Sequence, residues 1–282
     1  MHSYTLSKLH KASLARFTVA MVIASVSASV WASGEVALKA SCTLIVDVDT
    51  GKKVHSSGDC GKRYSPASTY KIALAVMGFD AGILVDAQNP VWELPPTAPS
   101  QNSAIQMGTP TTWQSQSILW YSRELTKTLG RVRMEQYVYK FSYGNKDATS
   151  GVVGRPGTHS SWVGGSLLIS AQEQVEFLRK LVLEELPVSV RSQQAAKTII
   201  PQARTASGWR VHGKIGSTWT YSRAWVANLS EPIGWYVGWV SREDKTYVFA
   251  RVTVGDKPFQ TPLGLLVKEQ FLGEVDALMA AQ

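Results

Sequence analysis

The spacing of apolar positions changes period several times along the chain, and each change predicts an element. Residues 43–48 carry a β-type pattern, Asp49-Thr50-Gly51 supplies a turn, and residues 52–56 return, which predicts a hairpin. From Ser68 onward, Ile72, Ala73, Ala75 and Val76 take helical spacing until Gly78. Residues 88–112 are rich in Pro, Ser, Thr and Asn and predict a long irregular excursion. Helices are predicted over residues 117–129 and 132–141, and a further loop over 144–161 holds Gly151, Gly154, Pro156 and Gly157. Ser170-Ala171-Gln172-Glu173 reads as a capping box, and the stripe Val175, Leu178, Leu181, Val182 makes the helix behind it scaffold, ending before Pro187. Residues 234–241 and 246–254 are β-rich and joined by the charged turn Arg242-Glu243-Asp244-Lys245, an antiparallel pair. A last helix is predicted over residues 263–279. Strands near both ends with helices between them imply a sheet assembled from distant parts of the chain.

The N-terminal segment stands apart from this pattern. Lys8, Lys11 and Arg16 precede an uncharged apolar run over residues 17–30, and Val30-Trp31-Ala32 resembles a cleavage site, so residues 1–32 read as a removable secretory leader. The run is shorter than the roughly 20 residues a membrane-spanning helix needs, which argues against a stable anchor. Removing the leader lowers the formal charge from +8 to +5. The remaining excess is scattered, with no basic stripe or module of the kind that binds nucleic acid. Residues 33–282 have an ordinary apolar content and suffice for one large domain or two small ones. In an exported protein the pair Cys42 and Cys60 suits a disulfide better than a metal site, with two free thiols as the alternative. His55, His159 and His212 are isolated, so a zinc hydrolase lacks its ligands, and neither a Gly-x-Ser-x-Gly elbow nor a Walker loop occurs.

Candidate chemistry begins at Ser68-Thr69-Tyr70-Lys71. Residues three apart on a helix are neighbours, so the Lys71 amine can reach the Ser68 hydroxyl. Among all the lysines, only Lys71 follows a serine by three positions. Two such residues also suit an ordinary helix start, with Ser68 capping and Lys71 solvated. Read singly, Ser117 is equally a helix cap, Lys214 a strand-surface charge and Trp162 a core tryptophan.

Their order along the chain changes that reading. Ser-Pro-Ala-Ser-Thr-Tyr-Lys (65–71) is followed by Ser117-Ile118-Leu119, Tyr143-Gly144-Asn145, Trp162 with Gly164-Gly165-Ser166-Leu167, Lys214-Ile215-Gly216 and Gly234-Trp235-Tyr236-Val237-Gly238. This series resembles the class D serine β-lactamases, the oxacillinase family, across nearly all of residues 33–282. The resemblance implies an α+β fold of the penicillin-binding transpeptidase type, with an antiparallel sheet flanked by terminal helices and a helical subdomain. It implies hydrolysis of a β-lactam through an acyl-serine on Ser68, with backbone amides of Ser68 and Ser217 as the oxyanion hole. It further implies that Lys71 is carbamylated by carbon dioxide and serves as general base, in a pocket of Trp162, Leu119 and Leu167. No separate cofactor molecule is implied. Ser117 and Lys214 would pass a proton to the leaving nitrogen, while Tyr143, Gly144 and Asn145 shape the neighbouring loop. The expected partner is a small-molecule β-lactam, the expected compartment the periplasm, and oligomeric state is not legible.

Two positions depart from the family pattern. Ile215 stands where Thr or Ser meets the substrate carboxylate, and Leu266 aligns with an arginine of the last helix. Ser217, Thr218, Arg210, Arg223 and Lys257 are the candidate replacements. Gly216 is expected to let substrate lie close to the strand, and residues 218–232, with Trp219, Tyr221 and Trp225, to form either an aromatic wall or a plain connection. The competing readings are a penicillin sensor or slow-turnover penicillin-binding protein, acylated at Ser68 without release, and an inactive homologue.

Overall fold

Six antiparallel strands form the centre of the computed structural model, which describes residues 38–96, 104–149, 161–222 and 226–280. The predicted leader lies outside the described residues, as do Arg223 and Trp225. Strands β1 (Leu38–Asp47), β2 (Lys53–Gly58), β5 (Gln202–Arg204), β6 (Arg210–Tyr221), β7 (Ala227–Arg242) and β8 (Lys245–Gly255) lie in the order β2-β1-β8-β7-β6-β5. The first and last thirds of the chain thus meet at β1 and β8, as the pattern of distant strands implied. A separate short pair, β3 (Trp92–Glu93) and β4 (Met107–Gly108), lies within the Pro- and Ser-rich excursion that the sequence predicts to be irregular.

Seven α-helices are present among the described residues: α1 (Lys71–Asp80), α2 (Pro110–Ser115), α3 (Leu119–Leu129), α4 (Arg131–Lys140), α5 (Ala171–Val182), α6 (Val190–Thr198) and α7 (Leu263–Ala280). The capping box at α5 forms as expected: Ser170 Oγ accepts from the Glu173 amide at 3.2 Å, and Glu173 Oε2 accepts from the Ser170 amide at 2.9 Å. Helix α6, capped by Ser189, carries too weak an apolar stripe to stand out in the sequence. Residues 218–221 and 227–232 extend β6 and β7 into a longer hairpin.

Two apolar cores lie against the sheet. The larger gathers α1, α3 and α5 against β1, β7 and β8, and the smaller places Leu263, Val267, Phe271 and Val275 of α7 against Tyr236 and Phe249. Helix α1 is buried on all faces from Lys71 to Gly78. Such a helix needs apolar residues all round, which its sequence Ile-Ala-Leu-Ala-Val-Met supplies. Lys71 is the exception, and the fold buries it regardless. Among the described residues no helix is long and apolar enough to cross a membrane.

Cys42 and Cys60 are joined, closing the β1–β2 hairpin. The Cys60 carbonyl accepts from the Gln172 amide at 3.2 Å, so the bridge also anchors the first turn of α5. A closed loop of this length restricts the unfolded chain enough to contribute about 3 kcal/mol. Reduction, or replacement of both cysteines by alanine, should therefore lower the unfolding free energy measured by urea titration by that order. Non-reducing peptide mapping of the exported protein should recover one linked pair; two alkylatable thiols would contradict it.

Candidate active site

Ser68 lies in a tight 3-10 turn, Ala67–Tyr70, that runs into α1, rather than in the first turn of an α-helix. Ala67 before it has φ of +49°, a left-handed conformation costly for a residue with a Cβ. Its surroundings hold it there. The Trp162 carbonyl accepts from the Ala67 amide at 2.9 Å and from Ser65 Oγ at 2.7 Å. The indole of Trp235 donates to the Ser65 carbonyl at 3.0 Å. Inside the turn, Thr69 Oγ1 donates to the Pro66 carbonyl at 2.7 Å and accepts from Gln174 Nε2 at 2.8 Å. The Pro66 ring at the start of the turn pre-sets its φ, which is the local reason the chain reverses here.

Lys71 donates to Ser68 Oγ at 3.0 Å, the contact that the three-residue spacing predicts. Its side chain is fully buried. Burial, reinforced by the charges of Lys214 and Arg123, holds its amine well below the ordinary lysine range. No carboxylate pairs with it among the described residues. Burial thus favours the neutral form of the amine.

Lys214 on β6 is the second buried lysine, and it donates to Ser117 Oγ at 3.0 Å. Burial first, and then the charge of Lys268, lower it to about 7. Ser117 has φ of +56° just before α3, so it is an irregular residue aimed at Lys214 and not the helix cap that spacing alone allows. Both hydroxyl–amine pairs of the sequence analysis are thus assembled, from residues 97 positions apart in the second case.

Trp162 is buried, and its indole Nε1 has no hydrogen-bond partner among the described residues. Its ring packs on Tyr70, beside Lys71, with centroids 5.3 Å apart. An unpaired buried N–H costs about 1–3 kcal/mol, so this one is available to an acceptor. Leu167 is fully buried in the larger core, and Leu119 is half-buried as the first residue of α3. Tyr143 is buried against Tyr70 and Phe177, and Asn145 ties its loop to the Ser166 carbonyl at 2.7 Å, the shaping role expected of them.

The strand edge differs from expectation in two respects. Strand β5 pairs with β6 only as far as His212, so the Lys214–Ser217 edge faces the nucleophile turn without a partner strand among the described residues. A Cβ on Gly216 would lie 2.9 Å from the Pro66 carbonyl and 3.2 Å from the Thr69 amide. The glycine therefore lets the turn approach the strand, a demand of the fold itself beyond any demand of substrate. On α7, Gly264 rather than Leu266 abuts this edge: its amide donates to Ser217 Oγ at 3.0 Å. Leu266 lies about 200° further round the helix and packs, with Ile215, on the rim of the smaller core.

The proposed replacements for the missing anchors fare unequally. Thr218 is hydrogen-bonded with Tyr221, whose ring lies over Gly164, and Trp219 is exposed. Arg210 sits at the opposite end of β6, and Lys257 is exposed beyond β8. Two cations were missed. Arg123 in α3 acts on Lys71 and has a buried Nε without a partner among the described residues, and Lys268 in α7 acts on Lys214. A sequence signal existed for each in retrospect: Arg123 follows Leu119 by one turn, and Lys268 follows Gly264 by one turn.

Residues 41–275 match the penicillin binding protein transpeptidase domain family. The chain is 41% identical to β-lactamase OXA-9 of Klebsiella pneumoniae over 241 residues, covering 84% of this chain and 88% of that protein. It is 29% identical to β-lactamase OXA-1 of Escherichia coli, covering 85% and 88% respectively. The crystal structure of the OXA-427 class D β-lactamase superposes with a TM-score of 0.78 at 37% identity, covering 86% of this chain and all of that one. With a serine and a buried lysine in contact on a transpeptidase fold, and these relatives beside it, the chain belongs to the class D serine β-lactamases.

Proposed function

We propose that the chain is an exported hydrolase in which Ser68 is acylated by a β-lactam, and that Lys71 works as a carbamate during both acylation and release. The observation that carries the reading is the unpaired indole N–H of Trp162, buried beside the turn that holds a neutral Lys71. A carbamate fits these residues on chemical grounds. Its formation needs a neutral amine, its negative charge suits a site lined by Lys214 and Arg123, and Trp162 can give it the hydrogen bond that nothing else takes.

When bound, carbon dioxide turns the Lys71 amine into an anionic base able to accept a proton from the Ser68 hydroxyl and later from water. The protein's own residues do the rest. Ser68, held by its clamped turn, attacks the lactam carbonyl. The amides of Ser68 and Ser217 would receive the developing oxyanion. Lys214, near its midpoint at neutral pH, gives a proton through Ser117 to the ring nitrogen as the amide bond breaks. Leu119 and Leu167 keep water sparse around the base. The leader in residues 1–32 and the disulfide support export to the periplasm.

Intact-mass spectrometry after brief exposure to a penicillin should show one adduct, absent in Ser68→Ala; an adduct in that variant would remove Ser68 from the chemistry. Trp162→Phe should acylate normally but release product roughly ten- to hundredfold more slowly, the loss of one hydrogen bond to a charged group. Labelled bicarbonate should give a carbamate carbon signal in the parent protein and a weaker one in this variant. Persistent acylation in the parent protein itself would instead favour the slow-turnover penicillin-binding reading.

The pH profile follows from the two lysines. The depressed Lys71 is protonated as pH falls through its lowered value, so activity should fall on the acid side. Lys214 loses its proton as pH rises through about 7, which should produce the alkaline limb of kcat/KM. Lys214→Arg, which stays charged, should lower the maximum but abolish that limb. An unchanged limb would show that Lys214 is not the proton donor.

A further inference from the structure

Helix α7 meets the active-site strand through a glycine. A Cβ on Gly264 would lie 2.4 Å from the Gly216 carbonyl and 2.7 Å from Ser217 Oγ, so the first turn of α7 sits closer to β6 than any other residue allows. Lys268 follows by four residues, one turn on and on the same face. Long side chains on a helix lean toward its N-terminus, which directs Lys268 toward Gly264, a residue without a side chain of its own. That direction leads to the Gly216–Ser217 end of the strand, which Gly264 abuts. Lys268 is half-buried and has neither an ion-pair partner nor a hydrogen-bond acceptor among the described residues. Its charge is felt at Lys214. An ammonium held in such a place without a counter-ion is poised for an external anion.

The alternatives are already occupied or misplaced. Ile215 has no donor, Ser217 Oγ accepts from the Gly264 amide and has only a neutral O–H left to give, and Leu266 packs on the rim of the smaller core. We propose that Lys268 is a specificity-determining residue that holds the substrate's carboxylate, replacing the hydroxyl and guanidinium that this chain lacks at Ile215 and in the first turn of α7. The inference rests on the β-lactam reading of the site but not on the carbamate. In a β-lactam the carboxylate is attached next to the ring nitrogen, the atom Lys214 and Ser117 serve. An anion held by Lys268 at the Gly216–Ser217 end would therefore set that nitrogen beside them. A compact ammonium grips as a point charge without the bidentate geometry of arginine, so the contact should be salt-sensitive.

The test compares one penicillin as its free acid and as its methyl ester, at low and high salt, with the parent protein, Lys268→Met and Lys268→Arg. Lys268→Met should raise KM for the acid about ten- to hundredfold, the loss of one charged hydrogen bond, while kcat changes little. The ester should be a poor substrate for the parent and insensitive to the substitution. Lys268→Arg should keep most of the preference for the acid, and added salt should erode it. An unchanged acid-to-ester preference in Lys268→Met would overturn the proposal. So would an equal loss for acid and ester, which marks a merely structural role. Absence of turnover in the parent protein is a separate result: it would strike the hydrolytic reading itself and remove the proposal with it.

Discussion

Two lysine amines buried without carboxylates are the constraint on which the rest of the structure depends. Lys71 and Lys214 are 0% and 1% exposed, and the charge of Lys214 reaches Lys71. Burying an unpaired cation is so costly that the group gives up its proton instead. The fold thus lowers the basicity of both amines and brings Lys214 to about 7, where it can exchange protons near neutral pH. The cost falls on stability: each lysine binds a proton in the unfolded chain that it resists binding in the folded one, so acidification toward the lowered values favours unfolding. The two apolar cores and the disulfide offset that loss.

Keeping the site dry also requires rigidity. The segment 162–170 serves this end by clasping the segment 64–70 along its length. Tyr64 and Ile169 exchange backbone hydrogen bonds at 2.9 and 2.8 Å, and the Trp162 carbonyl accepts two more from Ser65 and Ala67. One stretch therefore presents the Trp162 indole to the lysine and holds the nucleophile's turn in its left-handed start. Substitutions in that stretch act on geometry and on proton chemistry together, because the same residue supplies backbone to one and side chain to the other.

The strand edge shows a different balance. Gly216 and Gly264 bring the nucleophile turn and α7 to within backbone contact of β6 from its two sides. Close packing of this kind leaves little room for a side chain in the first turn of α7. It also shifts any charge meant for that place to a residue one turn away. The absence of a family residue at its usual position is thus a statement about local packing first, and about recognition only after the neighbours are considered.

Much of this was legible in the sequence because it rests on short-range spacing. Ser68 and Lys71 lie three residues apart, Ser170 and Glu173 form their cap locally, and the alternation in β7 and β8 is its own signal. The ordered motifs then identified the family, since their chemistry is carried by residue type. What the sequence could not determine is which groups lose their water. Nothing local distinguishes Lys71 from a solvated lysine, or Ser117 from a helix cap, until α1 is enclosed and β6 arrives from 97 residues away. Leu266 was assigned a place by alignment that the rotation of α7 gives to Gly264. Arg123 and Lys268 were passed over because a lone cation on a helix is usually solvated. Only tertiary packing decided otherwise, because electrostatic strength depends on burial and distance, and neither is a property of one residue and its neighbours in sequence.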